Sequence, residues 1–347
     1  MAVHGIRLVE LTDRDSSVMK VSGSHDFSFR DPILNVFRSF GQLNNVSVLG
    51  GVVIAPEYSY AENIVNKARG FSADFLLLPW SETGSMSERQ IPLLDDKSGK
   101  YSTGPHTNFV CNVLKNCRRN VGVFVNKGFG GPSLGRPQPS QLCRSISGNN
   151  VYTMDDLALA PSFEQGHHIF MPYFSGPDDE FALRLVLQLA KNPAITATIA
   201  HIDIKADGTS AEASSSTASP ATEDRAQSLS VSAQREDGTA FFNAMRDSLP
   251  RELAPRVVFQ TVNSSLSELV TVCIQIAKLE VCRSNDNSGN LVIVGRNSVA
   301  SASDISSGEI GTEARSVLGV LGVAMVEASH GVRASVLVIQ ADQEGAA

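Results

Sequence analysis

The hydrophobic pattern of the chain alternates between short aliphatic runs and longer helical stretches, and it is clearest near the C-terminus. Leu291–Val294 and Val336–Ile339 are continuous aliphatic runs, and Thr312–His330 between them is apolar on nearly all sides. Strands covered on both faces of a parallel sheet lose the polar alternation of half-exposed strands. The pattern therefore predicts a strand–helix–strand unit. Its helix is shorter than the roughly 20 residues that span a bilayer, so we expect protein to cover it.

In the first half of the chain the pattern predicts four strands and three helices in alternation. The strands are Ile6–Leu11, Val46–Ala55, Asp74–Leu78 and Val121–Val125, and the helices are Asp31–Phe40, Tyr60–Phe71 and Asn108–Asn116. Asp31 is placed to cap its helix, with Pro32 at the first helical position. The apolar residues of that helix share one face: Ile33, Val36, Phe37 and Phe40. The third strand is predicted to be fully buried and to end at Pro79.

In the second half the pattern predicts five strands with helices between them. The strands are His168–Tyr173, Ile195–Ile202, Val257–Thr261, Leu291–Val294 and Ser335–Gln340. The helices are Asp178–Lys191, Ala240–Ser248, Leu266–Leu279 and Thr312–His330. Strands that alternate with helices are typical of an α/β fold with a parallel sheet and right-handed crossovers.

Two segments without hydrophobic periodicity divide the chain. Residues 131–165 belong to a Gly/Pro/Ser-rich stretch and are predicted to be a linker. Residues 207–236 are dominated by Ser, Ala and Thr and are predicted to be a disordered insertion. We therefore expect a first lobe at residues 1–130 and a second lobe at residues 166–347, as divergent copies of one plan.

Three stretches carry a resemblance to a known family. They are Leu291–Arg296 with the helix and strand that follow it, Phe170–Ala190, and Ala73–Trp80. In order and spacing they resemble the C-terminal cytosolic region of plant and fungal monovalent cation/proton antiporters, and the Leu-Pro-Trp-Ser ending of the third looks more like the fungal potassium/proton branch. The resemblance covers almost the whole chain apart from the loops. It implies two universal-stress-protein-like lobes in tandem, each Rossmann-like with five parallel strands. Because only four strands are evident in the first lobe, we expect it to be truncated at its N-terminus.

The resemblance also implies a function. The parent protein would exchange potassium or another monovalent cation for protons, with its membrane domain preceding residue 1 and a homodimer as its full-length form. This chain would be a regulatory or scaffolding part on the cytosolic face of the membrane. The alternative is a free-standing tandem stress-protein-like protein that binds adenine nucleotides.

Composition excludes several classes of function. The net charge is −7, and no Lys/Arg cluster exceeds the pair Arg118–Arg119, so nucleic-acid binding by a basic face is not expected. The five cysteines contain no Cys-x-x-Cys pair, which indicates reduced thiols and predicts no metal site. No nucleophile motif, phosphate-cradling lysine motif or paired carboxylates at reaction spacing occurs, so the chain is not expected to be an enzyme.

The candidate binding site is for an adenine nucleotide, AMP or ATP, at the carboxyl end of the second lobe's sheet, where ligands sit in open parallel sheets. Its residues are Gly176, Asp178, Arg296 and Gly311. Two structural alternatives stay open. Asp178 stands where a carboxylate stabilises a helix N-terminus. Gly311 belongs to a Gly-x-x-Gly turn whose spacing to the next glycine departs from the stress-protein phosphate loop.

The last prediction concerns how the lobes meet. Val121–Val125 and Ser335–Ile339 each end a lobe, and an aliphatic edge strand invites pairing with another strand. We expect them to pair antiparallel within the chain through Val123 and Leu337, because linked lobes meet at high effective concentration. The alternative is pairing between two chains. Trp80 is expected at the lobe interface, and the alternative is that it stacks on a ligand ring.

Overall fold

The structure is a computed structural model, and it describes residues 2–11, 31–80, 104–127, 166–204, 237–282, 289–297 and 312–342. The strands are β1 Ala2–Glu10, β2 Ser47–Ala55, β3 Phe75–Trp80, β4 Asn120–Val125, β5 His167–Tyr173, β6 Ile195–Ile204, β7 Val257–Ser264, β8 Leu291–Gly295 and β9 Ser335–Gln340. The helices are α1 Pro32–Leu43, α2 Tyr60–Gly70, α3 Gly104–Asn116, α4 Pro177–Leu189, α5 at residues 237–247, α6 Leu269–Cys282 and α7 Thr312–Val326. The predicted linker 131–165 and insertion 207–236 lie outside the described residues.

Seven strands form one sheet in the order β3-β4-β9-β8-β5-β6-β7. The five strands of the second half are parallel to one another, which confirms the α/β fold class and its parallel sheet. β4 joins this sheet by pairing antiparallel with β9, with Val123 opposite Val338 and Phe124 opposite Leu337. The two halves of the chain therefore meet strand to strand within one molecule, as the edge-strand argument predicts.

Helices cover the seven-stranded sheet on both faces. α4 and α5 pack on one face, where Leu183 and Ile293 belong to one buried cluster. α2, α3, α6 and α7 pack on the other, where Val113 and Leu321 belong to a larger cluster. This second cluster draws side chains from both halves, so the halves share a core as well as a sheet.

β1 and β2 form a separate two-stranded parallel sheet. α1 lies on one of its faces, since a Cβ at Gly5 would meet the ring of Phe37 at 2.6 Å. On the other face Ile6 and Leu8 pack against the larger core. The four strands of the first half thus belong to two sheets, with β3 and β4 in one and β1 and β2 in the other.

α1 begins where the sequence predicts, but its predicted apolar face is not its buried face. Oδ1 of Asp31 accepts a hydrogen bond from the backbone N–H of Leu34 at 3.0 Å, and Pro32 occupies the first turn. Arg7 of β1 forms an ion pair with the other oxygen of the same carboxylate. Leu34 and Gly41 are the buried residues of the helix. The apolar residues beside them are exposed: Ile33, Val36, Phe37 and Phe40.

β3 also departs from the prediction. It continues through Pro79 to Trp80 instead of ending at the proline. Leu77, in its middle, is 53% exposed, so the strand is not fully buried. The reason is its position at the edge of the seven-stranded sheet, because proline is tolerated in edge strands and an edge strand has fewer neighbours to cover it.

Candidate functional site

The carboxyl end of the second-half sheet contains a reversal in strand order. From β5, the chain continues to β6 on one side and later returns to β8 on the other. In open parallel sheets this reversal is where ligands bind, between the loops that follow the two central strands. Here those loops are residues 174–176, which lead into α4, and residues 296–297, which follow β8. We call this place the β5/β8 edge.

Asp178 fastens the loop after β5 to the ends of two other strands. Its Oδ2 accepts hydrogen bonds from the backbone N–H and the side-chain amide of Asn297, both at 3.0 Å. Its Oδ1 accepts one from the backbone N–H of Ala341 at 2.8 Å. The residue is 5% exposed and lies in the first turn of α4, where the helix dipole favours a negative charge. The carboxylate therefore holds β5, β8 and β9 together at their carboxyl ends.

Arg296, which directly follows β8, ties the end of that strand to α7 on the other face of the sheet. Its guanidinium donates to the carbonyls of Ser316 at 2.5 Å and Val317 at 3.1 Å, in the first part of α7. Those carbonyls need a partner because α7 is interrupted at Gly319, whose φ of 67° and ψ of 179° are not helical. A Cβ at Gly319 would lie 2.2 Å from the carbonyl oxygen of Arg296, so this position accepts glycine alone without movement of the backbone.

Gln340 extends the same network into the first half. Its side-chain oxygen accepts from Arg296 at 2.8 Å, and its amide donates to the carbonyl of Leu114 in α3 at 2.8 Å. Two residues further, the backbone N–H of Asp342 donates to the side chain of Asn120 at 3.0 Å. An unbroken series of hydrogen bonds thus runs from α7 through Arg296 and Gln340 to α3. We call this series the Gln340 relay.

The structure brings three of the four predicted nucleotide-site residues to one edge. Gly176 is the N-cap residue of α4 and contributes no side-chain bond. Asp178 in α4 accepts a hydrogen bond from Asn297 after β8, and Arg296, directly after β8, donates to Gln340 at the end of β9. Gly311 lies outside the described residues. Sequence reasoning missed Gln340, because a glutamine at the end of an aliphatic strand carries no sign of which helix it will reach.

A buried aromatic cluster lies beside the β5/β8 edge. The hydroxyl of Tyr173 donates to the carbonyl of Gly238 at 2.8 Å, and the ring of His201 stacks on Phe242 with centroids 4.9 Å apart. Burial lowers the pKa of His201 below its ordinary value, against the opposing effect of the Asp203 carboxylate. Burial also raises the pKa of the Tyr173 phenol. Both rings are therefore uncharged near neutral pH, and they pack as an aromatic core.

The residues predicted at the lobe interface lie in different places. Val123 and Leu337 are in the paired strands β4 and β9, with exposures of 1% and 6%. Trp80 ends β3 and is buried in the larger core, its ring 5.1 Å from that of His106 at the start of α3. Its ring contact is thus made within the first half.

A groove of about 760 Å³ lies between the C-terminal ends of α2 and α3, on the first-half side of the sheet. Its lining is largely basic and polar: Arg69, Lys115, Arg118, Asn66, Asn116, Glu62 and Val65. Basic side chains near helix C-termini complement the helix dipole, which accounts for this charge without a ligand.

The described ranges contain neither a metal-binding cluster nor a membrane-spanning helix. There, no group of three or more His, Cys, Asp or Glu residues could hold a metal ion. Within the same ranges, no helix is long and apolar enough to cross a bilayer. Cys111, Cys117 and Cys273 are free thiols, and burial raises the pKa of Cys273 to about 12.

Comparison with known proteins gives the family relationship. Residues 3–129 match the family described as Plant cation/H(+) antiporter domain. Cation/H(+) antiporter 15 of Arabidopsis thaliana is 24% identical over 351 residues, which covers 98% of this chain and 37% of that protein. The chain is related to the cation/proton antiporters. Cation/H(+) antiporter 18 of the same organism is 24% identical over 210 residues, covering 57% of this chain and 22% of that protein.

A solved structure also aligns with the chain. It is a universal stress protein from Archaeoglobus fulgidus, with a TM-score of 0.39 and 11% identity over 99% of this chain and 87% of that one. The predicted relationship to the cation/proton antiporters is confirmed. The assignment to the fungal branch stays a prediction. The chain spans 37% of the length of antiporter 15 and 22% of antiporter 18.

Proposed function

We propose that the chain is the cytosolic regulatory module of a membrane potassium or other monovalent cation/proton antiporter, and that it catalyses no reaction of its own. The support is the similarity to antiporters that are far longer than this chain. In such a protein the cation passes through the membrane part, so a module attached to it acts by changing the rate or the set-point of exchange.

The observation that carries the proposal is that the polar residues at the β5/β8 edge hydrogen-bond to both halves of the chain. Asp178, Arg296 and Gln340 bind strand ends and helix carbonyls in both halves of the chain. Residues used in this way make a stiff body whose halves move together. A stiff body can transmit a displacement from a sensing surface to a membrane domain, which is what a regulatory module has to do.

The test is ion exchange by the full-length antiporter in liposomes. We expect exchange to persist when the module is deleted, with its dependence on cytosolic pH or cation concentration shifted about fivefold or more, the low end of allosteric coupling. Gln340→Leu, which cuts the Gln340 relay, is expected to shift it in the same direction. The control is Gln188→Leu on the exposed face of α4, which touches no part of the relay. Unchanged dependence after deletion contradicts regulation.

The absence of catalysis is tested on the chain alone. We expect ATP hydrolysis at the rate of buffer, because no phosphate-cradling lysine motif occurs in the sequence. Steady-state hydrolysis that disappears when a single residue is substituted contradicts this part of the proposal.

Adenine-nucleotide binding at the β5/β8 edge is the second candidate, because Gly176, Asp178 and Arg296 all belong to the loops and helix start at that edge. A nucleotide must bind beside the three hydrogen bonds that Asp178 already accepts. Calorimetry with AMP, ADP and ATP tests it directly. Heat that is lost in Asp178→Asn supports the site, and no heat at millimolar ligand contradicts it.

A further inference from the structure

The groove between the ends of α2 and α3 gathers more positive charge than the ends of the other helices do. Arg69 lies in the last turn of α2 and Lys115 in the last turn of α3. In contrast, α1, α4, α6 and α7 have no basic residue in their last turns. Stabilisation of the helix dipole by a basic residue is therefore not a general feature of this molecule. The cations are concentrated where two helix ends share one groove.

The positive side chains of the groove are exposed to solvent. A third one, Arg118, lies beyond the last turn of α3, in the connection to β4. All three residues are exposed. Over the part of the chain that the structure describes, Arg69 and Lys115 make no side-chain hydrogen bond or ion pair. Because Glu62 is the single acidic residue of the lining, positive charge prevails in the groove.

The lining suits a ligand that carries both phosphate and hydroxyl groups. Arginine and lysine side chains donate to phosphate oxygens, and Asn66 and Asn116 add amide donors. The carboxylate of Glu62 only accepts hydrogen bonds, so it needs a hydroxyl of the ligand as its donor. A carboxylate-rich peptide offers no such hydroxyl. The volume of about 760 Å³ lies within the range of small-molecule sites, about 300–1,000 Å³.

We propose that this groove binds a phosphorylated polyol. The phosphate groups lie against Arg69, Lys115 and Arg118, and a hydroxyl donates to Glu62. The ligand is a free inositol or sugar phosphate, or the headgroup of a phosphorylated inositol lipid, since both sources present the same groups. The net charge of the chain is −7, so a polyanion is attracted only where cations are gathered.

The groove adjoins the Gln340 relay. Lys115 directly follows Leu114, whose carbonyl accepts the hydrogen bond from the Gln340 amide. Just after the groove, the side chain of Asn120 accepts from the backbone N–H of Asp342, which follows β9. A ligand that fixes the end of α3 therefore acts on the first-half end of a series of hydrogen bonds that reaches α7. This consequence rests on the proposed regulatory function, whereas binding itself does not.

The experiment measures binding to the 347-residue chain in two arms. One arm is calorimetry with inositol trisphosphate in solution. The other is co-sedimentation with phosphatidylcholine vesicles, with and without phosphatidylinositol bisphosphate. The test variants are Arg69→Gln and Lys115→Gln. The matched control is Lys191→Gln, which removes the same charge from an exposed residue just after the end of α4.

We expect each test variant to bind at least about tenfold more weakly than wild type, with the control unchanged, because each loses a charge-assisted contact. Binding in solution assigns a free ligand, and binding to the phosphorylated vesicles alone assigns a lipid headgroup. No binding in either arm overturns the proposal, as does equal weakening in Lys191→Gln.

A hexaglutamate peptide that binds as tightly as inositol trisphosphate also overturns the proposal, because it assigns the groove to an acidic segment of a protein. None of these results decides whether the module regulates exchange. That question is answered by deleting the module from the full-length antiporter in liposomes, which does not depend on the groove.

Discussion

Leu77 of β3 and Ile293 of β8 occupy equivalent positions, because each pairs with the residue that precedes the central pair of the β4–β9 ladder. Leu77 is 53% exposed, whereas Ile293 is fully buried. The difference is confined to one helix layer. On the opposite face of the same strands, Leu78 and Val294 are both buried, because α3 and α7 belong to the core that covers them. The comparison shows that an aliphatic strand is only a candidate for burial. Whether it is buried depends on the element that packs against it.

The largest effect is expected from breaking the ladder that joins the halves. Leu337 lies in β9, between β4 and β8, and Val123 lies in β4. Proline removes a ladder donor and is found in sheets essentially only at edge strands or bulges, so it is strongly destabilising inside this ladder. We expect Leu337→Pro to unfold the chain and Val123→Pro to release the first half, both visible in denaturant unfolding.

The oligomeric state distinguishes pairing of β4 and β9 within one chain from pairing between two chains. Leu337→Ala keeps the backbone donor and serves as the control for side-chain loss. Light scattering is expected to give the same mass for wild type and proline variants wherever the variant stays soluble. A wild-type dimer that falls to a monomer in Val123→Pro would mean that these strands pair between chains in solution.

The next largest effect is the contrast between the two equivalent residues themselves. Ile293→Ala leaves a cavity in a covered layer and is expected to cost about 2–5 kcal/mol. Leu77→Ala removes a side chain that is already half exposed, and is expected to cost less than about 1 kcal/mol. Urea unfolding of the two variants measures the difference. Equal costs would show that Leu77 is covered as Ile293 is.

Local features, such as where a helix begins, can be predicted from the sequence when neighbouring residues determine them. Asp31 and Pro32 start α1 as predicted, because capping needs only neighbouring backbone. The predicted helix Tyr60–Phe71 is found as α2, Tyr60–Gly70. The β4–β9 pairing is also as predicted, from the expectation that linked aliphatic edge strands pair.

What the sequence does not determine is which partner a residue meets. The apolar side of α1 has the period of a covered face, yet its exposure depends on a neighbour. Arg296 was predicted to line a ligand site, but it also binds carbonyls of α7 that are freed by the break at Gly319. That contact joins residues about 20 positions apart in the chain, and no local sequence pattern predicts it.

A smaller effect is expected at the break in α7. Gly319→Ala places a side chain at a φ of 67° and 2.2 Å from a carbonyl oxygen, which costs about 1–3 kcal/mol. Gly70, at the end of α2 in the first half, has no heavy atom within 4 Å of a Cβ. Gly70→Ala is therefore expected to be neutral or slightly stabilising. Thermal unfolding of the two variants checks the contrast, and equal melting temperatures would place α7 as an unbroken helix.

The smallest effect is a pH dependence that compares one buried histidine from each half. Burial lowers the pKa of His106, which packs on Trp80, and of His201, which packs on Phe242. Above the ordinary histidine pKa of about 6.5, both imidazoles are neutral in the folded and unfolded chain, so their full contribution is present. As the pH falls below that value, the unfolded chain binds protons that the folded chain resists, and stability decreases until the folded pKa is reached.

His106→Phe and His201→Phe should each flatten the loss of unfolding free energy between pH 7 and 5. The baseline is pH 8, where neither ring of the wild type is charged. Burial is the main cause of the lowered pKa at both histidines, so flattening is expected in both variants. Denaturant unfolding at a series of pH values measures the slopes. If both variants kept the wild-type slope, neither imidazole would be held neutral by its half of the molecule.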